Sequence, residues 1–143
     1  MARFIAQIIP KPKTIFLVDG LGAFATASIL FLVQGQFQDY FGMPSEILSL
    51  LSIIAFTFTV YSILCFLFLK KNWGIFLKAI MTANLLYCYL TTSLLIHHRF
   101  MLTNMGLIYF IAEIVVIGGL VFIESQTLLL GNQKKGKIGI EKK

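Results

Sequence analysis

Charge is what this chain has least of. Only 13% of its 143 residues are Asp, Glu, Lys or Arg, about half the roughly 25% usual in soluble proteins. Hydrophobic residues make up 58% and the mean hydropathy is +0.88. Long stretches therefore lack the polar face that a soluble helix turns to water, which excludes an ordinary soluble domain. Cysteine is nearly absent. Cys65 and Cys88 form no C-x-x-C pair and no metal-ligand spacing. By depth they fall in opposite halves of a bilayer, roughly 15 Å apart, too far for a disulfide, so thiol-redox chemistry is not expected. Acidic residues number 6 against 12 basic ones, a net charge of +6. The basic residues sit at the ends of apolar runs and form no face interleaved with aromatics, so nucleic acid is not an expected partner. No lipidation box is present. The first long apolar run is too long for a signal peptide and no small-x-small site follows it, so no cleavable leader is expected.

What is present is four apolar runs, at about 14–37, 46–69, 73–97 and 103–130. Each meets the roughly 20 residues needed to cross about 30 Å of hydrocarbon, where helices satisfy their own backbone groups. Between the first two, "GQFQDYFGMPS" reads as a loop broken by Gly42 and Pro44, with Ser45 as the N-cap of the second helix. Trp73, Tyr40, Phe41 and Phe100 fall where interfacial aromatics belong. Residues 1–13, split from the first run by Pro10-Lys11-Pro12, read as an amphipathic lead-in on the membrane surface. Residues 131–143 read as a mobile basic tail.

Of the 12 basic residues, all but Arg99 fall on one side of such a four-span arrangement. Arg3, Lys11 and Lys13 precede the first span; Lys70, Lys71 and Lys78 flank the second connection; Lys134, Lys135, Lys137, Lys142 and Lys143 follow the fourth. The positive-inside bias then places both termini in the cytoplasm. Short connections make neighbouring helices antiparallel. The expected fold is all-α, an integral membrane up-down four-helix bundle.

The segment "LVDGLGAFA", Leu17 to Ala25, spells G-x-G-x-x-A, with Asp39 about 20 residues further on. A dinucleotide turn needs a helix and a second parallel strand after it. Here the apolar run continues unbroken through Val33, so the segment reads as membrane helix. Its small residues, Gly22 with Thr26 and Ala23 with Ala27, are spaced for close helix approach.

That leaves acids inside the spans, which are costly and mark candidate sites. At 1.5 Å per residue Asp19 and Glu124 lie roughly 8 Å from the cytoplasmic side, while Glu113 and Asn84 lie near mid-membrane. Stripes follow at helical spacing. On the fourth helix the stripe is Gly106, Tyr109, Glu113, Ile117, Leu120, Glu124 and Thr127; on the third, Asn84, Tyr87, Thr91 and His98. Thr57, Tyr61 and Cys65 share a face of the second, and Asp19, Gly22 and Thr26 one of the first. The expectation is a centre of Glu113, Asn84 and the tyrosines Tyr61, Tyr87 and Tyr109, with a second polar layer of Asp19 and Glu124. With no cation at its depth, Glu113 is expected to be neutral and to donate a hydrogen bond to Asn84 or a tyrosine, either as an interhelical polar clamp or as part of a ligand, proton or ion site. Adjacent His97 and His98 diverge by about 100° on a helix and chelate poorly, so no metal and no cofactor is expected.

In order along the four spans, "LVDGLGA", "FGMPS", "NLLYC" and "GLIYFIAE" resemble a group of uncharacterised small bacterial membrane proteins. The resemblance implies a four-helix inner-membrane protein and brings no activity or site residues. The functional expectation is a non-enzymatic membrane module or accessory subunit whose polar centre binds a lipid, a quinone or a partner helix. Its partners would be the bilayer and a homo-oligomer or larger membrane complex. The alternatives are a small proton- or cation-coupled transporter acting as an oligomer, and a membrane enzyme on a lipophilic substrate.

Overall fold

A computed structural model of the protein describes residues 12–141. The lead-in, through residue 11, and the final Lys142 and Lys143 lie outside the described residues. Among the described residues there is no strand. Helix α1, Pro12–Leu32, continues through a π-helical stretch, Val33–Phe37, into a single turn, α2, Gln38–Phe41. Helices α3, Ser45–Phe68, α4, Trp73–His97, and α5, Asn104–Glu141, follow. Four helices, with the α1-to-α2 run taken as one, are long and apolar enough to cross a membrane.

Two expectations about boundaries are revised. Gly35–Phe41, read as the start of a loop, is helical. The chain turns only at Gly42, whose φ of +69° is open to glycine at little cost. The segment after 130, read as a mobile tail, stays helical to Glu141, since nothing after Leu130 removes a backbone donor. Ser45 is the first helical residue of α3 and not its cap. Pro44 stands at the N-cap, and its carbonyl accepts from the backbone N–H groups of Ile47 and Leu48.

The bundle is built from two antiparallel hairpins. Helix α1 packs closely along α3, and α4 along α5, while the hairpins meet each other more loosely. The α1–α3 seam is close because its residues are small. Ser52, Ala55, Thr59 and Ser62 of α3 are buried at helical spacing. A Cβ at Gly20 would lie 3.3 Å from the Ser62 Cβ. Across the seam the Ser52 hydroxyl donates to the Ala27 carbonyl at 3.0 Å. The outer surface carries large apolar side chains, among them Phe31, Ile53, Phe68, Leu86 and Val115, as lipid contact requires.

Beyond the ends of the helices, the loops at Phe41–Met43 and His98–Thr103 interlock. The Thr103 N–H donates to the Phe41 carbonyl at 3.1 Å, and the Thr103 hydroxyl bonds the Tyr40 carbonyl. The same hydroxyl accepts from the Gly106 N–H at 3.1 Å and so caps α5. Gly106 itself packs on the Phe41 carbonyl, where a Cβ would collide with backbone.

Candidate functional site

Each helix contributes one polar side chain to a buried layer nearer the end where the described chain begins. Asp19 on α1 is 3% exposed. One carboxylate oxygen accepts from the Ser62 hydroxyl of α3 at 2.5 Å, and the other from the Asn84 amide of α4 at 2.9 Å. The Asn84 bond runs between helices that are not sequence neighbours and ties the two hairpins together. Glu124 of α5 completes the layer. It is 0% exposed and faces Asp19 and Asn84, yet neither of its oxygens has a hydrogen-bond partner.

Further along the bundle lies a second layer. The Tyr87 hydroxyl of α4 donates to the Glu113 carboxyl of α5 at 2.9 Å. The Tyr87 ring is held edge-on by Phe58 of α3, with centroids 6.0 Å apart. Tyr109 stands edge-on to Phe41 at 5.3 Å. The second oxygen of Glu113 is buried without a hydrogen-bond partner, as is the hydroxyl of Thr91 one turn beyond Tyr87.

Between the layers is a cavity of about 270 Å³, lined by residues of all four helices. Asp19 and Asn84 lie on its wall at one end, and Tyr87, Tyr109 and Glu113 at the other. Otherwise the wall is apolar or small, with Gly22, Ala23, Ala55 and Leu120 among its residues. Ile29 of α1 and Val116 of α5 also line it, and they are 42% and 61% exposed on the outer surface. The cavity therefore opens sideways between α1 and α5, where packing is loose, towards the space that lipid would fill.

Three assignments differ from the sequence reading. Asn84 belongs with Asp19 and not with Glu113. The depth count assumed upright helices starting at one level, and an error of one turn, about 5 Å, exchanges its partner. Tyr61 lies outside both layers; its hydroxyl reaches the Phe76 carbonyl of α4 at 3.4 Å. Thr57 is exposed and bonds its own helix at Ile53, because α3 is rotated to bury its small-residue stripe. Ser62 was missed, although Ser52, Ala55, Thr59 and Ser62 carry the small-residue spacing already noted in the first span.

Cys65 and Cys88 are both free. The His97 and His98 rings contact each other edge-on at 4.8 Å. Among the described residues, no three His, Cys, Asp or Glu side chains gather as a metal set. Compared with family models, curated proteins and solved structures, the chain finds no match in any of the three.

Proposed function

We propose that the protein is a non-enzymatic module of a bacterial inner membrane, with both termini cytoplasmic, that holds a lipophilic small molecule between its hairpins. The observation that carries the reading is the cavity itself: about 270 Å³, apolar along its length, open sideways, and ending at an acid with one unpartnered oxygen. Ligand sites are mostly apolar with a few well-placed polar groups. That shape suits the head of an amphiphile, such as a quinone or a lipid hydroxyl, whose tail stays in the bilayer. A bound hydroxyl or carbonyl would complete the hydrogen bonding of Glu113, which otherwise costs roughly 1–3 kcal/mol as a buried unpaired group.

The placement of every basic residue but Arg99 supports the orientation. The test is native mass spectrometry of the protein in mild detergent. A single reproducible adduct on the wild type, lost in Glu113→Gln, is expected. A bare wild-type species, or an adduct indifferent to Glu113→Gln, would overturn the reading.

A further inference from the structure

Glu124 is the least explained group in the molecule. It is a carboxyl with 0% exposure and two unpartnered oxygens, aimed at a second carboxyl. That second carboxyl is Asp19. Both of its oxygens accept, one from the Ser62 hydroxyl and one from the Asn84 amide. The Asn84 amide nitrogen donates to Asp19, and its carbonyl oxygen is a further potential ligand. The nearest lysines along α1 and α4, Lys13 and Lys78, are exposed, so neither neutralises the layer.

We propose that Asp19, Asn84, Ser62 and Glu124 form a binding site for a hard metal cation within their buried layer, where Asp19 and Asn84 border the cavity. Their donors are carboxylate, amide and hydroxyl oxygens, the set that suits sodium, magnesium or calcium and not the softer metals. A cation between Glu124 and Asp19 supplies the missing partner for both Glu124 oxygens and offsets the cost of charge in a low-dielectric layer. Two carboxylates are neutralised by one divalent ion, or by one monovalent ion with one proton. The site does not depend on an amphiphile in the cavity, because Glu113 and Tyr87 lie in the other layer.

The experiment is thermal unfolding of the full chain in detergent at constant ionic strength. Choline chloride is the baseline, replaced in turn by sodium, potassium, magnesium or calcium chloride. One cation is expected to raise Tm saturably, by about 3 °C or more at saturation, and to do so in Glu113→Gln as well. Glu124→Gln keeps the Ser62 and Asn84 bonds to Asp19 intact, and is expected to fold and to lose the response. If Glu124→Gln fails to fold, isothermal titration of the successful cation into wild type and Asp19→Asn takes its place, with saturable heat in the wild type alone. A Tm rise with sodium or with a divalent ion identifies which form of neutralisation holds. Equal Tm in all five salts, a gain from acidification alone, or a response that survives Glu124→Gln would overturn the proposal.

Discussion

Asn84 and Tyr87 lie three residues apart on α4, yet each serves a different layer, which makes them separable by mutation. Asn84→Leu removes the amide that ties Asp19 to α4 and leaves that acid with Ser62 alone. The cost is expected at about 1–3 kcal/mol, read as a lower Tm in detergent. Tyr87→Phe keeps the ring that packs on Phe58 and removes only the hydroxyl bond to Glu113. Interhelical bonds of this kind are worth about 0.6 kcal/mol on average in a membrane, so this variant is expected to unfold within a few degrees of the wild type. A Tyr87→Phe loss as large as that of Asn84→Leu would mean that the two layers are not independent. In both layers the acid was visible in the sequence, because a carboxylate in an apolar run needs no structure to be noticed. Its partners were only partly visible, since they come from other helices.

At the scale of helices, two close approaches decide the packing. The α1–α3 seam has no room beside Gly20, where a Cβ already comes within 3.3 Å of Ser62. Gly20→Val places a branched side chain there and is expected to cost about 1–3 kcal/mol by overpacking. The same change would move Ser62 away from Asp19, so the response to cations should weaken along with Tm. At the other end, Gly106 lets the first turn of α5 rest on the Phe41 carbonyl, with backbone and not a yielding side chain in the way of a Cβ. Gly106→Ala is expected to undock the interlocked loops and speed amide hydrogen exchange over residues 98–106. Unchanged exchange there would mean that the Thr103 bonds hold the loops unaided. The small-residue pattern of both α1 and α3 was present in the sequence. Which stripe of α3 faces inward was not, because Thr57-Tyr61-Cys65 and Ser52-Ala55-Thr59-Ser62 are both regular helical stripes.

For the whole molecule, the orientation proposed for it in a bacterial inner membrane predicts opposite labelling at the two connections. With both native cysteines replaced by alanine, Lys71→Cys is expected to react with a membrane-impermeant thiol reagent only after the membrane is opened. Arg99→Cys is expected to react in intact spheroplasts. Reaction of both in intact spheroplasts would refute the four-span orientation. The sequence by itself determined that the chain is helical and apolar enough to span a membrane four times, and which faces of α4 and α5 carry polar groups. Those properties are local: hydropathy over about 20 residues and a period of 3.6 need no neighbouring helix to be read. Only the tertiary structure decided that Asn84 meets Asp19, that Ser62 joins them, that Tyr61 stands aside and that a gap is left between α1 and α5. These depend on the rotation and height of each helix relative to the others. A vertical offset of one turn, about 5 Å, changes every partner without altering a single local signal.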